Sequence, residues 1–189
     1  MGFLDALLGG SRKLKAPAAD RLFAMTTAQV ALETELGLAH ANRAGIVFQP
    51  LATSDFEGIV AEAEELLRGA AKDTGTAVDT ADDEFGYRWI VLSDPDFEDL
   101  VVSLNTVSSQ LQSGGYGDRL LCAVFKFTER GRGLYFIYNF KRGFYYPFAP
   151  TAGKGRDTER ELRLKAQVER ELPLEPELTR WFPLWEIPL

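Results

Sequence analysis

Residues that could do chemistry are few in this chain, and the first candidate is Asp73-Thr74-Gly75. This tripeptide matches the aspartic proteases, in which paired carboxylates share a proton to activate a water molecule. That chemistry needs an apolar strand before the aspartate and a second copy of the motif or a homodimer, whereas Ala70-Ala71-Lys72 precedes it here. We therefore interpret the tripeptide as an exposed turn.

A metal site is suggested by four neighbouring carboxylates, Asp94, Asp96, Glu98 and Asp99. A calcium loop has a glycine at its sixth position and a glutamate at its twelfth, and counting from Asp94 these positions hold Asp99 and Asn105. Acidic side chains at the start of a helix are stabilised by the helix dipole, which explains the cluster without a metal. We expect no metal and no cofactor.

Nucleophilic catalysis has little support, because His40 is the only histidine and Cys122 the only cysteine. Cys122 alternates with the apolar residues Leu120 and Val124, which predicts a buried thiol. We place His40 in a hairpin turn. The sequence thus predicts no catalytic residue and no enzyme, with an enzyme of unrecognised type as an alternative.

A nucleic-acid site is suggested by Arg142–Phe148, which partly resembles the aromatic strand that stacks bases in RNA-recognition domains. Those domains have a small residue where Tyr145 stands and no proline inside the strand, whereas Pro147 lies here. The net charge of −7 also opposes phosphate binding. We predict a packed aromatic strand and no nucleic-acid partner.

The segment whose composition suggests a partner is residues 1–15, which we call the N-terminal segment. As a helix it would place four apolar residues on one face, and basic residues follow a Gly-Gly pair. Burial of the apolar side chains roughly balances the cost of ordering the segment, so we predict weak, reversible contact with an anionic membrane or a partner. The alternatives are that it docks on its own domain or is disordered. The candidate contact residues are Phe3, Leu4, Leu7, Leu8, Arg12, Lys13 and Lys15.

Length and composition predict one domain over residues 16–189, because 189 residues that are 46% hydrophobic can bury one sizeable core. A single cysteine excludes an intramolecular disulfide, and no stretch approaches the ~20 apolar residues of a membrane span. We expect a cytoplasmic location, with the inner face of the membrane as a peripheral site.

The elements of the first half follow from periodicity and capping residues. Period-two patterning over Ala28–Leu38 predicts a strand, with a helix from Thr26 as the competing interpretation. A second strand over Gly45–Leu51 would complete a hairpin. Ser54 and Glu57 form a capping box that opens a helix. The polar residues 70–84 then predict an exposed loop.

The second half carries the densest strand signal. We predict a strand over Phe85–Leu92 and a helix that Asp94 caps and Gly114-Gly115 ends. Three antiparallel strands follow, a helix opens at a capping box, and an apolar tail packs back on the domain. The strands are Leu120–Thr128, Leu134–Phe140 and Phe144–Phe148, the capping box is Thr158 and Glu161, and the tail contains Trp181, Phe182, Leu184 and Trp185. These elements predict an α+β fold with a mostly antiparallel sheet of about five to six strands and three main helices.

Several segments spread over nearly the whole chain carry a family resemblance. They are Met1-Gly-Phe-Leu-Asp-Ala-Leu-Leu-Gly9, Asp20-Arg-Leu-Phe-Ala24, Val30-Ala-Leu-Glu33, Gly45-Ile-Val-Phe48, Ser54-Asp-Phe56, Tyr135–Phe140 and Trp181-Phe-Pro-Leu-Trp185. With these segments the chain resembles the PspAB family of PspA-associated proteins, which is linked to the phage-shock envelope-stress system. The resemblance implies a non-enzymatic accessory of PspA, a coiled-coil protein that binds stressed inner membranes. It assigns no residue to a binding surface.

The order of elements is also similar to half of a type III secretion chaperone-like domain, a fold that binds partner segments in a groove and often forms dimers. This likeness is one of fold alone. It implies an alternative function, a chaperone-like peptide binder that never contacts lipid, and it makes a homodimer one expected assembly.

Overall fold

The structure is a computed structural model that describes residues 19–189. The N-terminal segment, with the predicted contact residues Phe3, Leu4, Leu7, Leu8, Arg12, Lys13 and Lys15, lies outside the described residues. The described chain forms an α+β domain with a six-stranded antiparallel sheet and four α-helices, which confirms the predicted fold class and adds one helix to it.

The first helix, α1, covers Ala19–Leu36, so the predicted strand over Ala28–Leu38 is wrong and the competing helix is right in type. Leu22, Met25, Ala28 and Leu32 are buried at helical spacing. Ala28 and Leu32 satisfy both a period of two and a helical period, which explains the wrong prediction. Val30, which a strand would bury beside them, is exposed.

The first strand, β1, covers Ala39–Phe48 and pairs with β3 and β4, so it forms no hairpin with the segment before it. His40 accordingly lies within a strand and not in a turn. The strand begins exposed and ends with five consecutive buried residues, because its second half crosses the middle of the sheet.

The predicted loop over residues 70–84 is wrong. The second helix, α2, covers Ser54–Thr74, and Gly75 ends it in the left-handed conformation with φ of 85°. The strand β2, Ala77–Asp82, follows at one edge of the sheet. Its side chains are mostly exposed, so its composition matches that of a loop. The helix cap is Thr53, one residue before the predicted Ser54.

The remaining elements match the predictions within a few residues. The strand β3 covers Arg88–Ser93, and the helix α3 covers Phe97–Ser113 with Asp96 as its N-cap instead of Asp94. The strands β4, β5 and β6 cover Leu120–Glu129, Arg132–Asn139 and Phe144–Phe148, followed by two short strands, β7 at Pro150–Thr151 and β8 at Gly155–Arg156. The helix α4 covers Thr158–Val168, and Asp157 caps it instead of Thr158.

The main sheet has the order β2-β3-β1-β4-β5-β6 and is covered on both faces. Apolar residues of the helices pack with alternate strand residues such as Ile46, Ile90 and Phe125 on one face. The tail after Pro173 covers the other face with Trp181 and Leu184 among its buried residues, as the sequence predicts. The helices therefore present their outer surface to solvent, whereas the tail occupies the opposite side.

Candidate functional site

The residues considered for catalysis lie apart from one another and take structural roles. Asp73 and Thr74 form the last turn of α2, and Gly75 is its cap. Cys122 is buried in the sheet, and burial raises the pKa of its thiol far above the ordinary value, which confirms the prediction of a buried thiol. His40 packs edge-on against Phe97 with ring centroids 5.3 Å apart.

The acidic residues at the start of α3 serve the helix end. The Asp96 carboxylate accepts from the Glu98 backbone N–H at 2.9 Å, and the Asp94 carboxylate accepts from the Asp96 N–H at 2.8 Å. Asp94 is buried and also accepts a hydrogen bond from the Thr76 hydroxyl. Within residues 19–189 no group of three or more His, Cys, Asp or Glu side chains is arranged to hold a metal ion.

The aromatic strand β6 is packed, as predicted. Tyr145 and Tyr146 are buried on opposite faces of the sheet, and their hydroxyls donate to the carbonyls of Leu22 and Phe182. Pro147 lies in this strand without disrupting the ladder because β6 is an edge strand. The rings are therefore closed to a nucleic-acid base.

The outer surface of the helix layer is the feature of the described chain that best fits a binding role. The helix α3 lies between α1 and α2. No charged residue occurs in residues 22–32 of α1 or in residues 100–117, which include most of α3, although 26% of the chain is charged. The helical surface, as we call it, consists of the exposed or half-exposed residues Thr27, Val30, Thr34, Val102, Thr106, Ser109 and Gln110, with Leu66 of α2.

Three aliphatic side chains stand out on the helical surface. Val30 is 58% exposed, Leu66 is 48% exposed and Val102 is 45% exposed. One comes from each of the three neighbouring helices. A surface that is poor in charge and carries exposed apolar side chains has the composition of the centre of a protein interface.

A groove of about 790 Å³ lies along α2 beside α3. The groove is lined by the small residues Gly69 and Ala70, by the exposed Leu66 and by Gln110 of α3. Small side chains allow the backbone of another helix to approach closely. The other lining residues are charged and are Glu62, Glu65, Arg68 and Lys72.

Carboxylate side chains border the helical surface at the end of the helix layer where α1 and α2 end and α3 begins. The end of α1 meets the start of α3 through His40, which contacts Phe97 and whose Nε2 lies 3.8 Å from the Glu33 carboxylate. The end of α2 meets the same place through the hydrogen bond between Thr76 and Asp94. This shared end and the adjoining side of α2 carry the acidic rim, which we define as Glu33, Glu35, Glu62, Glu65, Glu98 and Asp99.

Charge is segregated along the sheet. Residues 54–99 hold fourteen acidic and three basic residues, a net charge of −11, and residues 119–189 hold nine acidic and thirteen basic residues, a net charge of +4. The sheet order places β2 and β3, with α2 packed on β2, at one edge and β5 and β6, with α4, at the other. The domain is therefore strongly acidic at the α2 edge and mildly basic at the α4 edge.

The described chain begins at the basic edge. The guanidinium of Arg21 lies 5.1 Å from the ring centroid of Phe144 and donates to the Gly143 carbonyl at 3.2 Å. Arg142 approaches the same ring at 5.9 Å, and its guanidinium pairs with the Glu175 carboxylate at 2.7 Å and lies 3.7 Å from the Glu177 carboxylate.

The helical surface is not predicted from the sequence, because none of its residues belongs to a chemical motif. The absence of charge over residues 22–32 and 100–117 is visible in the sequence. It becomes informative only when the fold places α1 and α3 side by side with their uncharged faces in solvent.

None of the helices within the described residues is long and apolar enough to cross a membrane.

Comparison with known proteins identifies a family. No curated protein and no solved structure matches the chain, so the likeness to type III secretion chaperones stays a prediction. The family of PspA associated protein B matches residues 1–189. The chain belongs to this family of PspA-associated proteins, as its resemblance to PspAB predicts.

Proposed function

We propose that the protein is a non-enzymatic accessory of a PspA-type envelope-stress response and that it acts by binding a PspA-like coiled-coil protein. The observation that carries the proposal is the family match over the whole chain, because the family is named for association with PspA. The uncharged helical surface supports a binding role, since its composition is that of an interface centre.

The non-enzymatic part of the proposal rests on the placement of the reactive groups. Cys122 is buried, His40 packs on Phe97, and the carboxylates of Asp94 and Asp96 accept hydrogen bonds from backbone groups at the start of α3. An activated nucleophile needs an accessible group next to a base. These groups instead stabilise the fold.

We place the protein in the cytoplasm, with the N-terminal segment giving weak contact with the inner face of the membrane. Arg12, Lys13 and Lys15 precede α1 in the sequence, and α1 carries Arg21 in its first turn beside the mildly basic α4 edge of the domain. Each basic residue near an anionic lipid surface contributes about 1 kcal/mol. The acidic α2 edge would then point away from the membrane.

Two experiments test these proposals separately. Affinity purification of the tagged full-length protein from native cells, followed by calorimetric titration with the purified coiled-coil protein, should show recovery and saturable binding. Repeated absence of both would remove the adaptor function. Co-sedimentation with anionic vesicles should be weaker for a variant that lacks residues 1–15, and equal sedimentation of the two proteins would remove the membrane contact.

A further inference from the structure

The helical surface has properties that restrict what can bind it. Its residues come from three adjacent helices, so it is broad and ridged, and the groove beside Leu66 is lined by Gly69 and Ala70. Ridges and grooves of this kind accept the side chains of another helix.

The acidic rim adds a requirement for charge. Glu62 and Glu65 border the groove together with Arg68 and Lys72, and Arg68 pairs with Glu64 at 2.8 Å. Glu35 and Glu98 lie exposed at the end where α1 and α3 meet. The whole segment 54–99 has a net charge of −11. Opposite charge around an apolar centre steers association and fixes orientation, so the complementary partner carries lysine or arginine beside its apolar ridge.

We propose that the helical surface is the docking site for one helix of the coiled-coil partner, namely a helix whose exposed apolar ridge is flanked by basic residues. The proposal rests on the proposed function and adds to it the surface and the chemistry of the recognised segment. Val30, Leu66 and Val102 contact the apolar ridge, and the acidic rim pairs with the basic flanks. An anionic membrane is disfavoured as the occupant because the rim carries the same sign of charge as the lipid.

The test compares two pairs of variants of the full-length protein by titration with the purified PspA-like coiled-coil protein. The first pair is Val102→Arg and Leu162→Arg, because both residues are exposed on helices, at 45% and 41%, and only Val102 belongs to the helical surface. We expect Val102→Arg to weaken binding about tenfold or more and Leu162→Arg to change it less than about twofold. The urea midpoint of each variant verifies that it folds.

The second pair reverses charge without touching an apolar residue. The double variant Glu62→Lys with Glu65→Lys changes the rim, and Glu169→Lys with Glu171→Lys makes the same charge change in the exposed turn after α4. We expect about a tenfold loss for the rim variant at low ionic strength, mainly in the association rate, and a smaller loss at about 0.5 M salt. The α4 variant should bind like the wild type.

The outcomes separate the two proposals. If the wild type binds and both pairs behave alike, the docking surface is wrong while the adaptor function stands. If the wild type does not bind, the adaptor function fails and the docking surface fails with it. Binding of anionic vesicles that Val102→Asp abolishes and Leu162→Asp does not would also overturn the proposed occupant in favour of lipid.

Discussion

Glu161 illustrates how the buried charges of this protein hold the fold. Its carboxylate, with a side chain only 1% exposed, accepts from the Arg156 guanidinium at 2.6 Å and from the Ala149 backbone N–H at 2.9 Å. Arg156 also donates to the Trp181 carbonyl at 2.7 Å and so connects α4 with the tail. The sequence predicts only a capping box at Glu161, and the structure gives this residue a larger role.

We predict that Glu161→Ala lowers the free energy of unfolding by about 3 kcal/mol, because it leaves a partly buried guanidinium and a buried N–H without their acceptor. Glu159→Ala is the matched control. Its side chain is 90% exposed and its ion pair with Arg163 is a surface pair, so a change below about 0.5 kcal/mol is expected. Urea denaturation measures both, and equal effects would contradict the role of Glu161.

Two neighbouring tyrosines give a second test at this scale. The Tyr145 hydroxyl donates to the Leu22 carbonyl at 2.6 Å, whereas the buried Tyr138 hydroxyl has no hydrogen-bond partner within the described residues. Tyr145→Phe should cost about 1 kcal/mol, and Tyr138→Phe should be neutral or stabilising. The urea midpoint of Tyr145→Phe should be lower than that of Tyr138→Phe, and the reverse order would contradict the prediction.

The buried phenol of Tyr138 also predicts a pH effect. Burial raises the pKa of Tyr138 to about 12, above the value of 10.0 for an exposed phenol. Below about pH 10 the phenol is neutral in the folded and the unfolded chain, and as the pH rises from 10 to about 12 the unfolded chain ionises first, so the free energy of unfolding falls. Tyr138→Phe should therefore differ from the wild type in how its stability changes with pH above about pH 10, and parallel stability curves through this range would contradict the assignment.

At the scale of elements, most strands and helices follow from periodicity, and the errors have identifiable causes. The strands β4, β5 and β6 are apolar and separated by glycines, so the sequence predicts them correctly. The helix α1 has the pattern of a strand because Ala28 and Leu32 fit both periods, and its packing against α3 decides the outcome. The strand β2 resembles a loop in composition because an edge strand with exposed faces needs few apolar residues.

The end of α2 offers a test of local backbone requirements. Gly75 has φ of 85° and its N–H donates to the Ala71 carbonyl, whereas Gly58 lies inside the helix and has open space where a Cβ would stand. Gly75→Ala should cost about 1 kcal/mol, and Gly58→Ala should stabilise by about 0.5 kcal/mol. Thermal unfolding of the two variants measures the opposite signs, and a shared sign would refute the assignment of the cap.

The tail is the element that covers the second face of the sheet. Trp181 is 4% exposed, its ring stacks on Tyr146 at 6.3 Å between centroids, and its indole N–H donates to the Glu175 carbonyl at 3.0 Å. Trp181→Ala should cost about 3 kcal/mol, whereas Leu178→Ala, at a residue 49% exposed, should cost less than about 0.5 kcal/mol. Similar urea midpoints for the two variants would show that the tail is not part of the core.

At the scale of the whole molecule, the domain separates the helical surface and its acidic rim from the mildly basic α4 edge. The uncharged helical surface extends from α2 across α3 to α1 with the acidic rim beside it, whereas the opposite edge of the sheet, with β6 and α4, is mildly basic in net charge. The match to the family of PspA associated protein B extends over the chain as a whole. The helical surface does not follow from the sequence, because it depends on which helices are neighbours, and that information resides in tertiary packing.

Methyl NMR of the 21.0 kDa protein during titration with the purified coiled-coil protein tests the central claim most directly. If the protein binds PspA-like helices through the helical surface, the methyl resonances of Val30, Leu66 and Val102 shift and saturate together. The exposed methyl groups of Leu162 and Leu178 stay unchanged. Shifts confined to Leu162 and Leu178, or an unchanged spectrum at saturating partner, would contradict the account.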